Sequence, residues 1–487
     1  MATRNILLMI ADDLGRDQIS CYGCNSIETP NLDRLAASGT RFDMAFTSTA
    51  SCSGSRTVIQ TGLHTHQNGS YGLVKEGNGF QTMCNVETAP EIFNDIGYKT
   101  GILGKVHVAP DEKYPWQVKE DSESRNVARI ADHAEAFFEV AIDEETPFYL
   151  TIGFVDPHRQ IGTRGGFGNV KGNHDPRIKD RIFKPKEVEI PQYLTDLPEV
   201  RQELAEYYRS IHRMDQGVGM ILAALDRCGL ADETLVLFLS DNGPPFINSK
   251  TTLYDAGVRL PFLMRVPGAT AGILNPNLIS YIDILPTFID WAGQISRPTK
   301  TGSAHLRQGR SILPILNYTQ QLPDWCSVFG SHTFHEITNY WPTRYMRTSR
   351  FKYHRNVCWR LDFPFAMDLY ASLSFEGIRN SPNPTIGQRK LRDYIFRPPE
   401  ELYDLDSDPA EVRNLASEEE YELVLKDMRA QLEAWQLDTN DLWLWRDGTS
   451  VVRYMQHGYG REGLRIPDRF DFDVERPGNC EGRWVVL

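Results

Sequence analysis

Short runs of apolar residues, each long enough for one buried strand, alternate with helical patterns through the first two thirds of the chain. A mostly parallel sheet covered by helices produces this alternation. Ile6 to Ala11 is the first candidate strand. Thr29-Pro30 then opens a short helix with Leu32, Leu35 and Ala36 on one face, and Gly39 stops it. Phe148 to Val155 and Thr234 to Leu239 read as further buried strands. Between them Glu199 to Arg227 reads as a long helix, with Leu204, Tyr208, Ile211, Val218, Leu222 and Leu225 at helical spacing. Gly229 terminates it.

The last third changes character. Short extended pieces at Val328 to Gly330, Arg344 to Thr348 and Phe351 to His354 are separated by polar and aromatic loops. A helix is expected from Ser417, with Glu420 placed for a capping box, through Tyr421, Val424, Leu425, Met428, Leu432 and Trp435. A chain of 487 residues is long for a single core. The expectation is therefore two domains, with a boundary between Pro314 and Pro323. Residues 1–322 form the main α/β domain, and 323–487 a smaller α+β domain with antiparallel strands.

Charge and cysteine content narrow the partners. Lys and Arg number 52 and Asp and Glu 65, a net charge of −13. That balance argues against nucleic acid or an anionic membrane surface as the main partner. No stretch approaches the roughly 20 apolar residues of a spanning helix. The opening apolar run meets Asp12-Asp13 where a secretory leader would continue, so a cytoplasmic protein is expected. Eight cysteines in so long a chain do not read as a disulfide framework. Cys21 and Cys24 are expected as partly buried thiols, because no second Cys/His pair completes a zinc site.

In open α/β sheets, ligands gather at the carboxyl ends of strands. Four polar clusters stand at such ends: Asp12-Asp13, Lys105-x-His107, Asp156-Pro-His158 and Asp241-Asn242. Asp12, Asp13, Asp241 and Asn242 offer only oxygen ligands, which suits a hard cation such as Ca²⁺ or Mg²⁺. Lys105 and His107 are two apart, so an extended backbone would point both to the same side. Cys52 and Arg56 are four apart at the start of an apolar helix pattern and share one face. From the residues alone they read either as a thiolate nucleophile with an anion-holding Arg, or as a buried Cys beside a surface Arg.

Cys52-Ser-Gly-Ser-Arg56, followed by Thr61-Gly-Leu-x-x-His-Gln-Asn-Gly69, resembles the signature of the type I sulfatases. Ile10-Ala-Asp-Asp-Leu-Gly15, Gly104-Lys-Val-His107, Asp156-Pro-His158 and Ser240-Asp-Asn-Gly243 occur in that family's order. Within the family the chain is most similar to the sulfamidases. The parallels are Asp156-Pro-His-Arg159, Arg213-Met-Asp-Gln-Gly-Val-Gly219, Phe329-Gly-Ser331 with His335-Glu336, and Glu401-Leu-Tyr-Asp404. The resemblance covers nearly the whole chain and implies an alkaline-phosphatase-like fold, with 1–322 as the catalytic domain and 323–487 completing the substrate cleft.

The resemblance also implies roles. Cys52 is the position converted to formylglycine by a maturation enzyme, its hydrated aldehyde supplying the nucleophilic oxygen. Asp12, Asp13, Asp241 and Asn242 hold Ca²⁺ together with that oxygen. Arg56 steadies the hydrate, Lys105 binds sulfuryl oxygens and His107 acts as a base. His158 and Lys250 sit near the leaving atom, although sulfamidases carry Arg where Lys250 stands. His66, His335 and Glu336 line the substrate pocket, with His64 a weaker candidate. The family's signature has Pro, sometimes Ala, where this chain has Gly54. Tyr340-Trp341 and Trp359 to Phe365 are candidates for a wall of the cleft, though aromatics more often fill a core.

The implied reaction is metal-dependent hydrolysis of a sulfamate on an amino sugar or similar amine, releasing sulfate. The alternatives are an O-sulfatase, a phosphonate or phosphodiester hydrolase on the same scaffold, and a catalytically silent binder of sulfated glycans. The expected partners are a sulfated small molecule or saccharide and the maturation enzyme, and a homodimer is compatible with the sequence.

Overall fold

The computed structural model describes residues 4–75, 77–122, 124–160, 162–170, 175–297 and 306–444, with the backbone of two short strands, Ile466–Pro467 and Trp484–Val485. An eight-stranded sheet organises the first part. Across it the order is Val118–Asp121, Lys99–Gly104, Phe148–Gly153, Asn5–Ala11, Thr234–Ser240, Phe262–Arg265, Thr40–Phe42 and Ile273–Asn275. The first five are mutually parallel, and Phe262–Arg265 runs against both of its neighbours. This is the mostly parallel α/β sheet that the alternating pattern predicts.

The central strand explains why its sequence is apolar without interruption. Leu7, Met9 and Ala11 face one core, packed by Val127 and Phe138 of the helix Val127–Asp143 and by Val200 and Leu204 of the helix Pro198–Arg227. Ile6, Leu8 and Ile10 face the other, with Val58 and Ile59 of the helix Cys52–Thr61 and Leu285 and Phe288 of the helix Ile284–Trp291. Side chains alternate between faces, and both faces are covered, so the run from Ile6 to Ala11 is apolar throughout.

A second, four-stranded sheet is antiparallel throughout: Ser327–His332, Thr343–Thr348, Phe351–Asn356 and Glu400–Asp404. The helix Glu422–Asp438 lays Leu425, Met428, Leu432 and Trp435 onto Met346, Tyr353 and Leu402 of that sheet. The helix begins five residues later than Ser417, and the expected capping box is not formed. Residues 415–421 make successive tight turns instead, which bring Tyr421 against the ring of Phe351 at 6.3 Å.

The two sheets share a core. Phe46, Leu253 and Val258 pack with Val328 and Tyr345. The Tyr345 hydroxyl donates to the Thr47 carbonyl at 3.0 Å, and Ser331 N–H to the Ser48 carbonyl at 2.8 Å. The second sheet is thereby fixed against the loop that leads into Cys52. Cys21 and Cys24 are free thiols, Cys24 buried. Among the described residues no helix is long and apolar enough to cross a membrane.

Candidate active site

Parallel strands bring their carboxyl ends to one edge. Register sets Ala11 opposite Ser240, and Gly153 opposite both Ile10 and Gly104. The residues that follow these strands therefore emerge level with one another. Asp12 and Asp13 leave the central strand, and Asp13 takes a positive φ of 66°. Asp tolerates that conformation better than most residues. The turn keeps both carboxylates in the site, where extended backbone would have sent them to opposite faces.

Asp241 ties the two central strand ends together. Its Oδ1 accepts from the backbone N–H of Asp13 at 3.1 Å and of Asn242 at 2.8 Å. Its Oδ2 accepts from Arg56 Nε at 2.8 Å. Burial, with the Asp12 charge beside it, pushes the Asp241 carboxyl above the ordinary range. Burial acts on Asp12 too, but Lys105, His158 and Arg56 outweigh it and hold that carboxyl well below.

Cys52 is the first residue of its helix and is fully buried, its Sγ 3.7 Å from Asp13 Oδ1. Burial and the Asp241 carboxylate push its thiol well above the usual range. Ser51 precedes it but does not cap the helix, because its hydroxyl bonds His335 Nδ1 at 2.9 Å. Arg56, one turn on, shares the face of Cys52 and sends Nη1 to the Lys105 carbonyl at 3.1 Å. Gly54 has little room for a side chain, since a Cβ would meet the methyls of Thr49 at 2.9 Å and Thr65 at 3.2 Å.

Lys105 directs its ammonium to Asp12 Oδ2. The backbone departs from the expected extended form at His107, which has a left-handed φ of 55°. Both residues nonetheless line the same cavity. Burial and the Lys105 charge hold His107 neutral, and its buried Nδ1 has no hydrogen-bond partner among the described residues.

His158 and Lys250 form the other side. His158 Nδ1 lies 2.6 Å from the Arg159 carbonyl, which can only accept, so the proton is on Nδ1. Nε2 is thereby left facing Lys250 Nζ at 3.1 Å. Lys250 also donates to Asp13 Oδ2 and to Asp368 Oδ2, each at 2.9 Å. Burial opposes its charge, but those two carboxylates outweigh burial and keep it protonated.

A cavity of about 590 Å³ opens over these groups, lined among others by Asp12, Cys52, Lys105, His107, His158 and Lys250. His335 and Glu336 line it too, as the sequence led us to expect. His66 does not. Its ring stacks on His64 at 5.6 Å and meets Trp435 edge-on at 5.3 Å, so both histidines belong to packing between the two sheets. Of the aromatic stretch, Trp341 and Phe363 are core, buried and packing edge to face at 5.7 Å, while Tyr340, Trp359 and Phe365 are half-buried. Among the lining residues that escaped the sequence reading are Arg125 and Asp368. Arg125 clamps the Asp156-Pro-His158 turn by bonding Asp156 Oδ1 and the His158 carbonyl. Neither stands in a recognisable pattern.

The donor set fits a hard cation. Among the described residues, Asp12 Oδ1 and Asn242 Oδ1 are buried acceptors with no hydrogen-bond partner, a costly arrangement that a cation resolves. Ligand atoms of Asp12, Asp13, Cys52 and His158 lie within 4.8 Å of one another.

Comparison with known proteins places this geometry in context. The family model described as Sulfatase matches residues 4–294. N-sulphoglucosamine sulphohydrolase of Homo sapiens is 36% identical over 466 residues, covering 91% of each chain. An ulvan-active sulfatase of Formosa agariphila is 28% identical, covering 90% of this chain and 81% of its own. Among solved structures, one in complex with its substrate D-glucosamine-2-N,6-O-disulfate superposes with a TM-score of 0.65 at 21% identity, covering 90% and 98%. The phosphonate monoester hydrolase of Agrobacterium radiobacter superposes at 0.67 with 18% identity, covering 90% and 96%, a likeness of fold.

Proposed function

The chain belongs to the sulfatase family, and we propose that it hydrolyses a sulfamate, the N-sulfo group of an amino sugar or similar amine, to the amine and sulfate. One observation carries the reading. Cys52 begins a buried helix beside Lys105, Lys250, His107 and His158 in one cavity, within a chain 36% identical to N-sulphoglucosamine sulphohydrolase. Residues 1–322 carry the chemistry in this reading, and 323–487 contribute His335, Glu336 and Asp368 to the cleft.

Conversion of Cys52 to formylglycine would supply an oxygen nucleophile at the helix start. A Ca²⁺ held by Asp12, Asp13, Asp241 and Asn242 would add charge stabilisation for the sulfuryl oxygens. The chain's own side chains do the rest. Lys105, oriented by Asp12, and Lys250, oriented by Asp13, present fixed positive charge where charge builds on those oxygens. Arg56, locked by Asp241, steadies the position of residue 52. His158, its ring held by the Arg159 carbonyl, passes a proton through Nε2 to the leaving atom, taking it from the Lys250 ammonium 3.1 Å away. His107, neutral and with a free Nδ1, accepts a proton on the nucleophile's side.

Lys105→Ala is expected to lower kcat/KM by about 10²–10³-fold, the scale of losing one preorganised charge-stabilising donor. Steady-state kinetics on an N-sulfo substrate checks this, and an unchanged rate would remove Lys105 from the site. The function itself is tested by parallel rates on N-sulfoglucosamine, an aryl sulfate and a phosphodiester, alongside the mass of the tryptic peptide Phe42 to Arg56. The expected outcome is an aldehyde at residue 52 and the highest kcat/KM on the sulfamate. Activity on the phosphodiester alone, or an intact thiol without turnover, would end this reading.

A further inference from the structure

Lys250 has a partner that the family motifs do not include. Asp368, on the short helix Met367–Tyr370, gives Oδ2 to Lys250 Nζ at 2.9 Å. Its other oxygen makes no hydrogen bond among the described residues, and the side chain, 12% exposed, lines the cavity that holds Cys52. Burial disfavours its charge, but Lys250 and His158 outweigh burial and keep it ionised.

Asp368 is also held rigidly. The next helix, Leu373–Asn380, points its first N–H groups at Glu203, from Leu373 at 2.9 Å and Ser374 at 3.1 Å. Glu203 is in turn gripped by Arg159 through two bonds of 2.6 and 2.7 Å. Arg159 directly follows His158. The carboxylate is therefore fixed relative to the group nearest the leaving atom, as a discriminating contact must be.

We propose that Asp368 is a specificity-determining residue that selects an N–H-bearing leaving group over an oxygen ester. The inference rests on the sulfamidase reading above. In the net reaction, R–NH–SO₃⁻ and water give R–NH₃⁺ and SO₄²⁻. The N–S bond breaks with its electron pair going to nitrogen, the water oxygen joins sulfur, and both water protons end on nitrogen. An N–H is thus present from substrate to product, and the cationic amine is formed beside a carboxylate. The bridging oxygen of an ester offers only lone pairs to the same carboxylate. A site built to receive an N–H rejects an analogue that lacks one far more strongly than an apolar pocket could.

The test compares Asp368→Asn with the unaltered protein on N-sulfoglucosamine and on an aryl sulfate. Both rates are expected to fall as Lys250 loses a charged partner. The kcat/KM ratio of sulfamate to ester is expected to fall at least thirtyfold further, because the amide then presents a donor to the leaving atom. A parallel fall, with the ratio kept within threefold, would overturn the proposal and leave Asp368 as a support for Lys250. Calorimetric binding of free glucosamine gives a readout independent of turnover. It should weaken at least tenfold in Asp368→Asn and in Asp368→Ser, and equal affinity in a folded variant would also overturn the proposal. If the unaltered protein cleaves the ester and ignores the sulfamate, the functional reading fails first, before any variant is made.

Discussion

Cys52→Ala is expected to abolish turnover, a loss of at least about 10⁴-fold in kcat/KM, because no neighbouring group can replace the nucleophile. The side chain is buried at the helix start, and its Sγ lies 3.7 Å from Asp13 Oδ1. Removing a single sulfur atom there leaves Arg56, Asp241 and Lys105 bonded to one another as before. The fold should therefore survive, and a thermal melt run beside the kinetics separates lost chemistry from lost structure. Turnover retained within tenfold would mean that the nucleophile lies elsewhere.

Asp441→Ala is expected to have the largest effect on stability. Asp441 and Arg344 are both fully buried and joined by two bonds of 2.6 and 2.7 Å. Removing the acid strands a guanidinium in the interior, which typically costs about 3–5 kcal/mol. The fall in thermal midpoint measures it, and a fall below about 1 kcal/mol would contradict the burial of the pair. A double variant, Arg344→Met with Asp441→Leu, should recover most of the loss, since it leaves no charge unpaired. The pH dependence has a definite sign. Burial alone would raise the Asp441 pKa, but Arg344 outweighs it and depresses the folded-state value below that of the unfolded chain. The pair's contribution is therefore complete above about pH 4 and drains away as pH falls further.

Much of the site was legible because parallel strands obey a simple rule. An apolar run buried on both faces must end where a polar residue first appears, and all such ends share one edge. Asp12, Lys105, His158 and Asp241 were each found that way, and the register brings them together. His107 departs from the expected extended backbone through its φ of 55°, which no pattern in the sequence announces. Asp368 was not legible. Its position depends on how the helix after its own, Leu373–Asn380, docks on Glu203, a contact spanning about 170 residues that no local pattern announces. His66 stood in the right motif yet faces Trp435 of the helix Glu422–Asp438, a contact between distant parts of the chain that no local pattern announces.

The grip of Arg159 on Glu203, and of Glu203 on the start of the helix Leu373–Asn380, bears on any attempt to re-engineer what this enzyme accepts. The ring nearest the departing atom and the carboxylate proposed to judge it are mounted on one continuous brace. Grafting residues 361–380 from a relative would therefore fail unless positions 159 and 203 travelled with the graft. In a lineage diversifying its substrates, these three stretches should change together or not at all.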